Sequence, residues 1–364
     1  MTTSGSLPHD PVHAAPPPTR RLTQAALREA VGHLDASLER MFGYHMGWWG
    51  ERGDPCPEAA EGKALRPTLA FLGAEAADVP TATAEPGAVA VELIHNSTLI
   101  HDDMMDGDTV RRNRPAVWQV FGSGPAILLG DGLHACAVAT LLRRGGRHGP
   151  DAVRLLSGML MRLVRGQARD LALARRPWQG PETVAIAEYR AMAADKTASL
   201  LGCATAIGAQ LGGASPTTLR TLVQAGEHLG LAFQFVDDLL GVWGPPRATG
   251  KQTSTDLARG QKTLPLLTAV GSGTDDGARL AAMLERGLPD PDAMAHAAEL
   301  AERAGARAAT ERAARHHLTL ARRAFTSLAP PPEARDAFDE LATTVIGRAA
   351  LAADPPGEPE GGAR

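Results

Sequence analysis

The sequence predicts an all-α fold, a large single-domain helical bundle, and three observations carry that expectation. Ala, Leu, Arg and Glu, all good helix formers, dominate the body of the chain. Apolar residues recur at intervals of three and four, the period of one helix face. Alternating Val/Ile/Thr-rich runs bounded by turn residues are not found, so nothing reads as sheet. With 364 residues, 44% of them hydrophobic and 21% charged, the chain can bury a sizeable core.

Taken in order, residues 1–20 (MTTSGSLPHDPVHAAPPPTR) are rich in Pro, Ser and Thr and predict a disordered N-terminal tail. A docking segment for a partner is the other reading of that tail. The domain then spans 21–350. Helices are expected near 22–43, 62–77, 84–106, 125–144, 151–174, 181–212, 216–243, 262–271, 276–286, 290–305, 307–327 and 333–350. Breakers such as RGDPCP at 52–57, GSGP at 122–125, GGASP at 212–216 and GPPRATG at 244–250 separate them. Residues 351–364 read as a second disordered tail. The helices near 84–106 and 216–243 are apolar nearly all round, which marks them as central.

The stretch PAILLGDGLHACAVATLL (125–142) is interrupted by Asp131 and His134. It reads as a buried helix, too short and too polar for a transmembrane segment. The net charge of −4 gives a nucleic-acid partner no electrostatic support. The basic cluster RRGGRH at 143–148 reads as a solvated loop. Cys56, Cys136 and Cys203 are odd in number and widely spaced, as expected of reduced thiols in a cytoplasmic protein. An N-terminal basic segment followed by an apolar run, the mark of a secretory signal, is not visible.

The chemistry begins at IHDDMMD (100–106). Asp102 and Asp106 share a helix face, with Asp103 alongside. Taken alone, a solvated acidic turn and a cation site explain the motif equally well. The apolar run VELIHNSTLI before it and Arg111, Arg112 and Arg114 after it favour the cation. Mg2+ is held by one or two carboxylates plus substrate phosphates, and arginine forks grip phosphate oxygens. A second acidic pair, Asp237 and Asp238, follows Gln234 on the helix AFQFVDDLLGVWG, about 135 residues later. The pair Asp275-Asp276, with loop flanks and no arginine pair beside it, serves as an internal control and reads as plain surface.

Further polar groups fall where anions could sit: Lys63 and Arg66 in EGKALRP at a helix start, His95 two turns before Asp102, Gln167 in RGQARDL, Lys196 and Thr197 in MAADKTASL, and Lys251 in TGKQTS. For each by itself, a solvated or buried structural role is at least as good a reading.

The ordered set GKxxRP, ELIHxxxLIHDDxxD, RR, GQxxDL, KT, FQxxDD and a following GK resembles the trans-type isoprenyl diphosphate synthases, or polyprenyl synthetases, from about residue 60 to 265. The resemblance implies an isoprenoid-synthase bundle with a central apolar cavity, a homodimer, and head-to-tail joining of an allylic diphosphate to isopentenyl diphosphate with Mg2+. It implies that Asp102, Asp103, Asp106, Asp237 and Asp238 hold Mg2+ on the allylic diphosphate, which Arg111, Lys196 and Lys251 contact. It assigns Lys63, Arg66, His95 and Arg112 to isopentenyl diphosphate, and Thr197 and Gln234 to the zone where positive charge develops. One departure is Gly241, which stands where many second motifs carry a third acid; weaker organisation of a third metal ion is expected there.

Relatives making a fifteen-carbon product tend to carry aromatic rings one turn before the first motif. Ser97 and Thr98 are small, so the passage is expected to be open and the product longer, geranylgeranyl diphosphate. Two other readings stay in view. A class I terpene cyclase would not need Lys63, Arg66, His95 and Arg112, and a non-catalytic partner subunit would be expected to have lost part of the acidic or basic set.

Overall fold

The computed structural model describes residues 17–54, 64–244 and 255–350. Within them the chain is helical almost throughout, as expected. The helices are α1 (Pro17–Val31), α2 (Ala36–His45), α3 (Leu65–Ala76), α4 (Glu85–Met105), α5 (Val117–Phe121), α6 (Ser123–Arg144), α7 (Gly149–Ala174), α8 (Ile186–Ala193), α9 (Ser199–Leu211) and α10 (Pro216–Trp243). They continue with α11 (Thr255–Arg259), α12 (Leu264–Val270), α13 (Asp275–Arg286), α14 (Pro291–Arg303), α15 (Ala306–Thr326) and α16 (Pro332–Ala350).

The two helices read as apolar all round are central. The longer, α10, packs against α9 and α15, while α4 packs against α3, α6 and α9. Val89, Val91, Leu93 and Ile94 of α4 and Leu229, Phe235 and Val236 of α10 have no exposed surface. Each such side chain removed from water contributes about 1.5–3 kcal/mol.

Four expectations change. The tail boundary moves, because Pro17–Arg20 form the first turn of α1, and the single helix over 22–43 is two. Asp35 ends the break by accepting from Ser37 N at 2.9 Å, a side-chain cap on the first turn of α2. A short hairpin exists after all: Val110–Arg111 (β1) pairs antiparallel with Arg114–Pro115 (β2) across Arg112 and Asn113, which have φ of 52° and 60°. Two positive-φ residues make the tight turn that such a two-residue loop requires. The expected helix over 181–212 carries a π turn, Ala194–Ala198, between α8 and α9.

The buried helix expected at 125–144 is also only half right. Helix α6 is long and apolar enough to cross a membrane by length and composition, and 44% of that window is buried. One face packs against α4, whereas Ile127, Leu128 and Leu142 lie exposed on another. The segment at 143–148 is not a simple loop: Arg144 closes α6 and pairs with Glu85 at 3.0 Å and Glu29 at 3.5 Å. Asp275 and Asp276 open α13, where negative charge suits a helix start, and Asp276 pairs with Arg303. Cys136 and Cys203 are buried free thiols. Residues 1–16, 351–364, Cys56, Lys63 and Lys251 lie outside the described residues.

Candidate functional site

Helix α4 delivers six of the predicted residues along one length: His95, Ser97, Thr98, Asp102 and Asp103, with Asp106 as its C-cap. Asp102 is half-buried, and desolvation pushes its carboxyl up to about 6. Lys196 and Arg111 oppose that shift, while Asp106 and Asp170 add to it. A carboxylate crowded by two others in a dry setting favours an arriving cation.

Asp103 is the inward member of the pair, 1% exposed. Its Oδ1 accepts from Nε of Arg111 at 2.9 Å and from Nη2 of the same guanidinium. The acid thus aims Arg111, which also lies 3.9 Å from Asp108. Asp108 in turn pairs with Arg259 of α11, tying the segment after the first motif to the segment after the second. Arg114 is structural: it donates to the carbonyls of Tyr44 and Trp49 at 3.1 Å and stacks on the Tyr44 ring.

A basic nest lies higher on α4. Arg66 opens α3, and its Nε is buried with no hydrogen-bond partner among the described residues. Burial lowers the Arg66 pKa, and the charges of Glu92 and Asp237 work against that. His95 is held well below the usual histidine range by burial and by Arg66 and Arg112. His45 is pushed down to about 3 by burial, with Arg112 and Arg111 adding; it contacts Asn96 Oδ1 at 3.1 Å. Arg112, at the hairpin turn, reaches the His45 carbonyl at 3.4 Å. Glu92 lies close enough to act on both Arg66 and Arg112, and burial raises its pKa. An orphaned guanidinium nitrogen among neutral imidazoles and a second arginine suits an anion.

The π turn carries Lys196 and Thr197. Burial alone would lower the Lys196 ammonium, but Asp170 and Asp102 outweigh it and raise it. Its Nζ donates to Asp170 Oδ2 at 2.6 Å. Helix α7 comes so close here that a Cβ on Gly166 would lie 2.2 Å from the Lys196 nitrogen, which explains the glycine before Gln167. Next to Lys196, Asp195 accepts from Arg162, Arg165 and Arg169, spaced along one face of α7. This cluster clamps the widened turn in place, and such π turns are frequent at functional sites.

Thr197 Oγ1 donates to Gln234 Oε1 at 2.6 Å, and Gln234 Nε2 donates to Asp238 Oδ1 at 2.9 Å. Asp238 is 2% exposed and also accepts from Tyr189 Oη and from Leu264 N at 2.9 Å. Burial holds its carboxyl up at about 6. Like Asp103, it is bonded inward, and its half-buried neighbour Asp237 is the more accessible acid of the second motif. Ser97 is fully buried and contacts His134 Nε2 of α6 at 3.0 Å, so an imidazole stands beside this small side chain. Thr98 is half-buried and donates to the His95 carbonyl.

Four participants escaped the sequence reading. Asp170 was visible as the acid of GQARDL three residues after Gln167. Glu92 was visible as the first residue of ELIHxxxLIHDDxxD, whereas His45 and Asp195 had no local signal, because their partners lie on other helices. Among the described residues, no three acidic, histidine or cysteine side chains converge as a closed metal cage. The hard carboxylate oxygens of Asp102, Asp106 and Asp237 nevertheless suit Mg2+, which keeps water and substrate phosphate as its other ligands.

An acidic wall with a lysine, facing a nest of arginine and histidine on an all-α scaffold, defines a diphosphate-handling helical enzyme. The polyprenyl synthetase family profile matches residues 57–301. The chain is 40% identical over 333 residues to the (2E,6E)-farnesyl diphosphate synthase of Mycobacterium tuberculosis (strain ATCC 25618 / H37Rv), covering 90% of this chain and 91% of that one. It is 42% identical over 283 residues to the geranylgeranyl diphosphate synthase of the same strain, covering 77% and 79%. The crystal structure of a polyprenyl synthetase from Streptomyces coelicolor A3(2) superposes with a TM-score of 0.83 at 42% identity, over 90% of this chain and 97% of that one. A polyprenyl synthase from Caulobacter crescentus CB15, complexed with calcium and isoprenyl diphosphate, gives 0.78 at 26% identity, over 90% and 94%. The chain belongs to the polyprenyl synthetase family and is a trans-prenyl diphosphate synthase.

Proposed function

We propose that the enzyme condenses an allylic diphosphate with isopentenyl diphosphate head-to-tail, with Mg2+, and releases a twenty-carbon product. The observation that carries this reading is the division of the site along α4. Asp102, Asp106 and Lys196 lie at one end, and Arg66, His95 and Arg112 lie around the other. The acidic end suits a metal-bound diphosphate that must leave, and the cationic end a diphosphate that must stay. Mg2+, when bound, neutralises the charge that builds on the departing diphosphate. Lys196, fixed by Asp170, and Arg111, fixed by Asp103, supply positive charge at the same end. The allylic C–O bond breaks, the isopentenyl double bond forms the new C–C bond, and a proton leaves to the released diphosphate. The Thr197 and Gln234 oxygens are suited to the region where the allylic cation develops.

Small side chains at Ser97 and Thr98 favour the longer product, geranylgeranyl diphosphate. A fifteen-carbon product is the second reading, favoured by His134 beside Ser97. Incubation with each allylic primer, isopentenyl diphosphate and Mg2+, with an EDTA control, decides length and metal dependence together. A cyclic hydrocarbon made without isopentenyl diphosphate would overturn the reaction proposed here.

We also propose a homodimer. Ile127, Leu128 and Leu142 of α6 and Met161, Val164 and Leu171 of α7 are exposed apolar residues on neighbouring helices. Such a surface is stabilised by burial against a second copy. Light scattering of the purified protein and of Leu128→Glu with Met161→Glu tests it; an unchanged monomer mass would exclude the dimer.

A further inference from the structure

We propose that His45 is a positioning residue for the cationic end of the site: its imidazole, through Asn96, steadies Glu92 near Arg66 and Arg112, while its carbonyl holds Arg112. The proposal rests on the diphosphate reading given above, in which those two arginines bind isopentenyl diphosphate.

His45 is the last residue of α2 and is 7% exposed, and Asn96 of α4 is fully buried. Asn96 lies one turn beyond Glu92 on the same helix face. Its Nδ2 donates to the Glu92 carbonyl at 2.7 Å and reaches Glu92 Oε1 at 3.4 Å. Turning the amide over would set two carbonyl oxygens 2.7 Å apart, so Oδ1 is the atom that meets His45 Nε2 at 3.1 Å. An amide oxygen only accepts, and the proton therefore sits on Nε2 of His45. Burial, with Arg112 and Arg111 adding to it, keeps that ring neutral. A chain of bonds thus runs from His45 on α2 through Asn96 to Glu92 on α4.

Its far end is an acid that the arginines need. Burial lowers the Arg66 pKa and Arg112 adds to that, while the Glu92 charge works against both. Burial raises the Glu92 carboxyl, and Arg66, Arg112 and the Asn96 bond pull it back. A loose carboxylate here would close on one guanidinium and take the donors that a phosphate needs. The bond from Asn96 restrains it. The end of α2 acts on the hairpin as well: the carbonyls of Tyr44 and His45 accept from Arg114 at 3.1 Å and from Arg112 at 3.4 Å. The last carbonyls of a helix lack partners within it and favour cations. A charged side chain at 45 would be a further cation beside Arg112, and an apolar one would leave Asn96 Oδ1 buried and unpaired. A neutral imidazole supplies the N–H without the charge.

The test separates the two substrates. KM for isopentenyl diphosphate, KM for the allylic diphosphate and kcat are measured for wild type, His45→Ala, Asn96→Ala, their double variant, His45→Gln and His45→Asn. His45→Ala and Asn96→Ala are each expected to raise KM for isopentenyl diphosphate about tenfold, with the other two constants within about threefold of wild type. The double variant is expected to lie within about twofold of either single change, because both act along one chain. Glutamine carries its amide nitrogen where the imidazole carries Nε2, so His45→Gln is expected to bring KM back to within about threefold of wild type. Asparagine places its nitrogen at the Nδ1 position, short of Asn96, and His45→Asn is expected to behave like His45→Ala. Wild-type KM for isopentenyl diphosphate in both alanine variants would overturn the proposal, as would equal losses for the two substrates or fully additive losses in the double variant. So would a His45→Asn protein as good as His45→Gln, a comparison that stands even where an alanine variant fails to fold. A wild-type protein that consumes no isopentenyl diphosphate would instead sink the underlying diphosphate reading.

Discussion

Lys196 Nζ donates to Asp170 Oδ2 at 2.6 Å, joining the π turn to α7 within reach of the Asp102 charge. The pair sets a cation where a departing diphosphate would gather charge. Lys196→Ala is expected to lower kcat by about 100-fold or more, the range seen when a preorganised charge-stabilising group is removed. Asp170→Asn should cost less, because the ammonium remains and only its aim is lost. Steady-state kinetics with the allylic substrate varied separate the two.

Gly166→Ala tests the close approach of α7 to that turn. A new Cβ 2.2 Å from the Lys196 nitrogen forces the helices apart. Overpacking of this kind costs about 1–3 kcal/mol, and the movement falls on Lys196 and Thr197. Urea unfolding and kcat are both expected to drop, with KM for isopentenyl diphosphate nearly unchanged because Arg66 and His95 lie on other elements.

Asp195→Asn leaves Arg162, Arg165 and Arg169 facing one another without their shared carboxylate. Removing one partner of a buried charge cluster is strongly destabilising, and solvent around the half-exposed arginines reduces the loss to about 2 kcal/mol. Chemical denaturation of this variant against Arg169→Ala checks it. The single arginine change should cost clearly less, since two arginines still hold the acid.

Acid sensitivity follows from His45. Its folded pKa of about 3 lies below the unfolded value of 6.5, so the unfolded chain binds the proton more readily. The stability that neutral His45 contributes is fully present above about pH 6.5 and is lost as pH falls toward 3. Between pH 7 and 5.5 this one group should remove about 1 kcal/mol. Denaturation at the two pH values, repeated on His45→Gln, should show a slope shallower by that amount in the variant.

Product length should respond to the α4–α6 contact. Ser97→Phe places a ring against the His134 position and is expected to shift product toward fifteen carbons. His134→Ala opens the same place and should lengthen it. Mass spectrometry of the products is the measure. If neither variant changes chain length, the tail runs elsewhere and Thr98 becomes the residue to test.

The helical content and the two central helices were legible because local rules set them. A 3.6-residue period and strong helix formers survive whatever the tertiary surroundings are. What the sequence hid was interruption and exposure. The break before Asp35 rests on a local cap by that residue, whereas the π turn at Lys196 and the hairpin at Arg112 make contacts with distant residues. The exposed face of α6 was unreadable because an apolar helix looks the same whether another helix or a second protein covers it.

By itself, the sequence determined an all-α chain with two acidic motifs, a basic set and an ordered resemblance to polyprenyl synthetases. Helix periodicity alone puts Asp102 and Asp106 on one face. Only the tertiary structure decided which acid of each pair turns inward. Asp103 is engaged by Arg111, 8 residues away, and Asp238 by Gln234 of its own helix and by Tyr189 and Leu264, 49 and 26 residues away. The same is true of Gly241, which in sequence is a missing acid and in the fold is the space that Asp256 occupies. A helix fixes the direction of a side chain, but only packing between helices fixes what it meets.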